Sequence, residues 1–163
     1  MLSHITPSQL AYPTHFHISS GAGHSKHALV AFDNALIQAK ISNYNLLRVS
    51  SILPINCKRE DTISIPFGSL LPTAYATISS CEPNAQIAAA VAVGIPVHDT
   101  DIGVIMEYSA PCTAQEAEET VRSMVEEAMI NHNIPFKTIL SSSIDGTVPE
   151  GEHLSLISAI AMW

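Results

Sequence analysis

Short runs of alternating or continuously apolar residues, separated by turn residues, fill most of the chain and predict a protein rich in β-strands. The expected strands cover residues 12–19, 43–54, 62–65, 71–79, 86–93, 102–108, 136–144 and 153–163. The last two strands are expected to pair as antiparallel neighbours across the turn region at Asp145 and Gly146. Periodicity alone would also allow a helix at 86–93, but its shortness and its β-branched residues favour a strand.

Two segments have the periodicity of amphipathic helices. The first covers about residues 26–41, and its expected core face is apolar: Leu29, Phe32, Leu36 and Ile37. It follows Gly21-Ala-Gly-His-Ser25, where the glycines permit a tight turn and a close backbone approach. Ser25 could cap the helix.

The second helix is the clearest element of the sequence. It begins at Thr113-Ala-Gln-Glu116, which fits a capping box, and it ends at residues 131–133 before Pro135. Its expected core positions are Ala117, Val121, Met124, Val125 and Ala128. Two helices among seven or eight strands, with few glycine-rich βαβ turns, are typical of an α+β fold in which sheet packs on sheet and helices lie outside.

A pair of adjacent serines, Ser50 and Ser51, stands in the middle of the apolar segment 43–54. The segment is expected to be a buried strand, and a buried hydroxyl costs free energy unless it finds a partner. The pair is therefore either hydrogen-bonded and inert or able to do chemistry on its own backbone. Arg48, in the same segment, has no partner that the sequence identifies.

Two carboxylates stand next to apolar residues. Glu107 lies near the end of the strand 102–108, and burial there would raise its pKa and make it a general acid. Asp33 lies beside the apolar face of the first helix and could bind a cation if it points into a cleft. Taken alone, each is more simply interpreted as a solvent-exposed side chain.

Composition limits the classes of function. The 163 residues suit a single domain, 1–163, and carry a net charge of −8 with no cluster of Lys or Arg, which argues against a nucleic-acid partner. Apolar residues make up 47% and charged residues 13% of the chain. No apolar run is long enough to span a bilayer, so the apolar excess suggests burial between subunits. An acidic protein would attract a cationic ligand.

Cysteines and histidines give no sign of a metal site. Cys57, Cys81 and Cys112 are widely spaced and without a Cys-x-x-Cys motif, which favours buried thiols in a reducing cytoplasm. His15 and His17 form a His-x-His pair without a third ligand nearby, which favours a hydrogen-bonded or solvated strand face. The N-terminus lacks the basic and apolar regions of a signal peptide, so a cytoplasmic location is expected.

Several sequence blocks together resemble one known family. They are Gly21-Ala-Gly-x-Ser25, Ala31-Phe-Asp-x-Ala-Leu36, Asn43-Tyr-Asn-Leu-Leu-x-Val-Ser-Ser-Ile-Leu-Pro54, Gly103-Val-Ile-Met-Glu107 and the apolar tail ending at Trp163. With these blocks the chain resembles pyruvoyl-dependent arginine decarboxylases over most of its length. The block around the serine pair is the most specific, and the others support it.

The resemblance implies a self-cleaving proenzyme. The Ser51 hydroxyl would attack the carbonyl of Ser50, and the resulting ester would break by β-elimination. Residues 1–50 would become the β chain and residues 51–163 the α chain, with Ser51 converted to an N-terminal pyruvoyl group. Asn45 matches a residue expected to aid this processing or to hold the finished group.

For the processed enzyme the resemblance implies decarboxylation of L-arginine to agmatine and CO2, with the pyruvoyl group as electron sink. Glu107 matches the expected proton donor, and Asp33 matches the carboxylate expected to meet the substrate guanidinium. The implied fold is a four-layer αββα sandwich of mainly antiparallel sheets with outer helices. The implied assembly is a homotrimer with active sites between neighbouring subunits.

Two alternatives stay open. Few residues would select arginine, so a pyruvoyl-dependent decarboxylase of another basic amino acid has a similar sequence signature. From a different class, the chain could be an unprocessed trimeric binding or structural module. Residues 141–152 are polar and do not match the family pattern clearly.

Overall fold

The computed structural model describes residues 12–163, which form two helices and nine strands. Their bounds are β1 (His15–Ser25), α1 (Ala28–Gln38), β2 (Asn45–Arg48), β3 (Ile52–Leu53), β4 (Lys58–Arg59), β5 (Leu70–Ser80), β6 (Gln86–Pro96), β7 (Gly103–Ala110), α2 (Ala114–Asn131), β8 (Phe136–Thr147) and β9 (His153–Met162). The N-terminal residues, in which no signal peptide is expected, lie outside the described residues. Within those residues, neither helix combines the length and hydropathy needed to cross a bilayer.

The strands form two sheets that pack face to face. The first sheet has the order β2-β5-β9-β1-β4 and the second has the order β3-β7-β6-β8. Pairing is antiparallel except between β1 and β4 and between β2 and β5. Helix α1 packs on β1 and β9 of the first sheet, and α2 packs on β6, β7 and β8 of the second. The layer order is therefore αββα, and the expected α+β sandwich is confirmed.

Apolar side chains from both sheets fill the layer between them. The buried residues of this layer are Phe16, Leu53, Ala74, Val91, Val93, Ile105, Ile160 and Met162. Each strand contributes alternate positions, as the two-residue period of a strand requires. Small residues on the opposite face of β6 (Ala88, Ala90 and Ala92) let α2 approach closely. The strand assignment at 86–93 is confirmed, and the strand continues to Pro96.

Gly21 and Gly23 lie inside β1 and not in a turn, so the predicted turn is wrong. The predicted close backbone approach is confirmed. A Cβ atom at Gly21 would lie 2.1 Å from the carbonyl oxygen of Ala35, and one at Gly23 would lie 2.3 Å from that of Ala31. The two glycines therefore let α1 lie directly on the sheet.

This close contact changes the predicted core face of α1, of which Phe32 and Leu36 are partly buried against the core, as expected, but Leu29 and Ile37 are not. The side chains buried against the sheet are Ala31 and Ala35, whereas Leu29 is 79% exposed and Ile37 is 56% exposed. Large side chains cannot fit where helix and strand backbones nearly touch, so they point outward. Ser25 does not cap the helix, because the N-cap residue is His27.

Helix α2 agrees with its predicted start. Thr113 is the N-cap and forms a reciprocal capping box with Glu116. Its buried positions are Ala117, Val121, Val125 and Met129. The sequence prediction placed Met124 and Ala128 in the core, but both are only partly buried.

Two further strand predictions are wrong. The strands β8 and β9 are not paired with each other: β8 pairs with β6 in the second sheet, and β9 pairs with β5 and β1 in the first. The segment between them carries the chain from one sheet to the other. Residues 62–65 form no strand, and the short strand β4 precedes them.

Substituting Gly21 with alanine is expected to lower the free energy of unfolding by about 3 kcal/mol, because the new methyl group must displace the helix backbone. Chemical denaturation of the variant measures this loss. The matched control is Gly151→Ala, where no atom lies within 4 Å and only the positive φ of 73° is unfavourable. The control should lose roughly 1–2 kcal/mol. Equal losses in the two variants would contradict the close contact.

Candidate active site

The serine pair lies where the chain crosses from one sheet to the other. The N–H of Val49 donates to the carbonyl of Thr73 on β5 in the first sheet (3.2 Å). The carbonyl of Ser51 accepts from the N–H of Ile105 on β7 in the second sheet (2.8 Å). The bond between Ser50 and Ser51 therefore belongs to the short link between the sheets.

The prediction of one buried strand at 43–54 is consequently wrong. The segment contains two strands in different sheets, β2 and β3, and the residues between them lie outside both ladders. Leu47 is 48% exposed and Ile52 is 40% exposed, whereas Leu53 is buried. Ser50 is exposed and Ser51 is half-buried.

The backbone at the serine pair forms a three-residue turn. The N–H of Ile52 donates to the carbonyl oxygen of Ser50 (3.1 Å), which places Ser51 at the centre of the turn. The Ile52 N–H is therefore hydrogen-bonded to the Ser50 carbonyl, which is the group that a Ser51 hydroxyl would attack. A backbone N–H in that place can stabilise negative charge that develops on the oxygen.

Glu107 lies close to this turn because of the register on β7. Ile105, which binds the Ser51 carbonyl, is two positions before Glu107, so both side chains face the space between the sheets. Two residues of a strand span about 7 Å. The fold therefore binds Ser51 to β7 two positions before Glu107.

The carboxyl of Glu107 occupies a small cleft of about 150 Å³. The cleft is lined by Arg48, Ala76, Thr77, Glu107, Tyr108 and Ser109. Burial raises the pKa of Glu107 above its ordinary value, and the positive charge of Arg48 offsets part of this rise. A carboxyl group in such a place keeps its proton to higher pH than an exposed glutamate.

The structure identifies the partner of Arg48 that the sequence did not show. Its Nη2 donates to the backbone carbonyl of Tyr75 (2.9 Å), and its guanidinium carbon lies 4.5 Å from the centre of the Tyr75 ring. These contacts combine a hydrogen bond with a cation–π interaction. They fix a positive charge at the mouth of the Glu107 cleft.

Two predicted site residues lie elsewhere in the single chain. Asn45 is at the start of β2, where its side chain donates to the Gly68 carbonyl (2.7 Å). Asp33 is exposed on α1, on the outer side of the first sheet, and lines a groove with Leu29 and other apolar residues of that helix. Neither of them shares a cleft with Ser51 or Glu107 in the described chain.

An apolar groove beside Ser50 was not predicted. It has a volume of about 480 Å³, and its lining includes Leu47, Val49, Ile52, Leu70 and Pro72. The sequence signal that could have found it is the excess of apolar residues around the serine pair. That excess was attributed to a buried strand.

The histidines and cysteines take structural positions. His15 stacks on Trp163 with ring centres 5.9 Å apart, and Nδ1 of His17 lies 3.0 Å from the carbonyl oxygen of Glu60. Cys81 is exposed, which corrects its predicted burial. Burial raises the pKa of the Cys57 thiol to about 11, so it stays protonated at neutral pH.

Comparisons with known proteins give a consistent result. Residues 15–163 match the family model described as pyruvoyl-dependent arginine decarboxylase. A protein of that name from Pyrococcus abyssi is 41% identical over 137 residues, which cover 83% of this chain and 85% of the relative. A protein of the same name from Methanocaldococcus jannaschii is 37% identical over 152 residues, which cover 93% and 90%.

A third relative of that name, from Methanococcus aeolicus, is 36% identical over 166 aligned positions, which cover 100% of this chain and 99% of the relative. The range that the family model matches, 15–163, extends over all the helices and strands of the described residues. The resemblance drawn from the sequence is therefore confirmed. The chain belongs to the family of pyruvoyl-dependent arginine decarboxylases, whose cofactor is a covalently bound pyruvoyl group.

Proposed function

We propose that this chain decarboxylates L-arginine to agmatine and CO2, using a pyruvoyl group that it makes from its own Ser51. The observation that carries the proposal is the position of the Ser50–Ser51 bond. It links two sheets, outside both ladders, and Ser51 is bound to the strand that carries half-buried Glu107, two positions before that residue. The family membership supports both the reaction and the cofactor.

Cleavage between Ser50 and Ser51 uses groups already in place. The Ser51 hydroxyl attacks the Ser50 carbonyl, the peptide bond becomes an ester, and β-elimination releases residues 1–50 as the β chain. The dehydroalanine left at residue 51 then takes up water and loses ammonia, which leaves a ketone at the start of the α chain, 51–163. The N–H of Ile52 supports the attack because it donates to the carbonyl oxygen that becomes negative.

The surroundings of Ser51 fit a pyruvoyl group. The residue is half-buried, and its own carbonyl, which would be retained in the group, is held by the N–H of Ile105. When formed, the group supplies an electron-accepting ketone for the electron pair that CO2 leaves behind. Glu107 then delivers a proton to the substrate α-carbon, a role that its raised pKa favours because burial stabilises the protonated carboxyl.

A homotrimer with sites between subunits would complete the substrate site. In one chain, exposed Asp33 is separated from Ser51 and Glu107, and a groove of exposed apolar residues surrounds it. We place the substrate guanidinium on Asp33 of the partner subunit, since a carboxylate pairs with the planar guanidinium at two points. Asn45 acts in the same assembled site, in processing or in holding the pyruvoyl group.

Replacing Ser51 with alanine should leave the chain intact, because the nucleophile is lost. Denaturing electrophoresis and mass spectrometry would then show one species, while the wild-type chain gives two. The matched control, Ser50→Ala, should still cleave, since only the backbone carbonyl of residue 50 takes part. A wild-type chain that stays intact on incubation, with an ordinary serine at 51, would instead support a binding or structural module.

The variant Glu107→Gln should cleave normally but decarboxylate at least about 100-fold more slowly, because the proton donor is absent. Glu127→Gln, an exposed position on α2, is the control and should keep full activity. In the wild-type enzyme, activity should fall as pH rises through the raised pKa of Glu107, because the protonated form is the active one. Normal CO2 release by Glu107→Gln would exclude this proton donor.

Substrate choice is tested by CO2 release from arginine, lysine, ornithine and histidine. The expected result is a strong preference for arginine. Asp33→Asn should raise KM for arginine about 10-fold or more, because a charge-assisted pair is lost, and it should change kcat less. A preference for another basic amino acid in the wild-type enzyme would support the alternative decarboxylase. Sedimentation of the processed protein tests the trimer.

A further inference from the structure

Strand β2 leaves its sheet early, and this departure exposes backbone on β5. Pairing between the two strands ends where Arg48 lies opposite Thr73. The next residue, Val49, still donates to the carbonyl of Thr73, but the chain then crosses to the other sheet. The carbonyl of Tyr75, two positions further along β5, is therefore left on an open edge.

The side chain of Arg48 occupies the place of the missing strand. It donates to the Tyr75 carbonyl and lies against the Tyr75 ring. The edge carbonyl has no strand partner and accepts a charge-assisted hydrogen bond from Arg48, which holds the guanidinium at a defined point. The charge is held by two contacts on one residue, although Arg48 itself is exposed.

The fixed charge faces the cleft that contains Glu107. Arg48 comes from β2, and the other titratable residues that line the cleft are Glu107 and Tyr108, neighbours on β7. The Tyr108 ring packs with the cluster under α2 and the Tyr75 ring with the cluster under α1, so each lies on the outer face of its sheet. The remaining lining residues are Ala76, Thr77 and Ser109, which carry no charge. Arg48 and Glu107, both in the described part of the chain, form no direct ion pair.

We infer that Arg48, anchored on Tyr75, is a positioning residue that limits the pH range over which Glu107 keeps its proton. The inference rests on the proposed function in one respect: that function makes the Glu107 proton the one that is delivered to the substrate. Burial and the Arg48 charge act on Glu107 in opposite directions. With Arg48 absent, burial acts alone, the pKa of Glu107 rises further, and the protonated form persists to higher pH.

The test first reads Glu107 directly, in the uncleaved Ser51→Ala chain. The side-chain carboxyl carbons of glutamate are labelled with ¹³C, the Glu107 signal is assigned by its loss in Glu107→Gln, and its titration midpoint is measured. Arg48→Gln should move the midpoint upward by at least about half a pH unit. An unchanged midpoint would overturn the inference. Because the chain need not be processed, a cleavage defect in the Arg48 variant does not affect this result.

Three further variants separate charge from structure. Arg48→Lys keeps the positive charge and should restore most of the wild-type midpoint. Tyr75→Leu keeps Arg48 but removes the ring, so it should give a smaller upward shift. Arg122→Gln is the matched control: it removes one guanidinium from α2, where Arg122 binds Ile139 and Ser141, and it should leave the Glu107 midpoint unchanged. If the Glu107 midpoint shifted equally in this control, the shift would come from the change in net charge alone, and the inference would be overturned.

The second measurement uses the processed enzyme. In Arg48→Gln the high-pH limb of kcat/KM should move upward by the same amount as the Glu107 midpoint. A midpoint that moves while the limb does not would leave the role of Arg48 intact and would remove Glu107 as the proton donor of the proposed function. Should Arg48→Gln not fold, the Tyr75→Leu midpoint decides, and its failure to shift would overturn the inference.

Discussion

The hydrogen bonds on either side of the serine pair determine the geometry of the candidate site. Val49 is bound to the first sheet and Ser51 to the second, so the backbone between them must leave both ladders. Three consequences follow from this crossing. The Ser50 carbonyl turns toward the N–H of Ile52, Ser51 is bound to the strand that carries Glu107, and the edge of β5 is left open for Arg48.

Regular elements with constant partners could be predicted from the sequence, and elements defined by distant partners could not. The helix α2 and the strands β5, β6 and β7 each stay in one layer along their length, so periodicity and capping reveal them. Segment 43–54 changes sheets in its middle, yet its apolar residues fit one continuous strand equally well. The α1 face was misassigned because apolar periodicity favours large side chains, whereas Gly21 admits only small ones.

The same distinction applies to the candidate site. The roles expected of Ser51 and Glu107 came from resemblance, and the register that joins Ser51 to the strand of Glu107 is one that no local pattern encodes. The contact between Arg48 and Tyr75 joins residues 27 positions apart, and it exists because a strand ends. Asp33 belongs to a surface that one chain leaves exposed, so the role proposed for it would depend on an assembly that neither the sequence nor a single chain contains.

The position of the proposed cut also explains how the fold would survive it. Residue 50 pairs in neither sheet, so the cut removes a covalent link without removing ladder hydrogen bonds. The piece that ends there contributes β1, which lies inside the first sheet and pairs with β9 from Phe16 to Ser25, and α1, which packs on both strands. Its release would open the sheet and expose the contact of Ala31 and Ala35. A cut within β1 or β9 would break ladder hydrogen bonds, so a chain end can be created in the link between the sheets at lower cost than inside these strands.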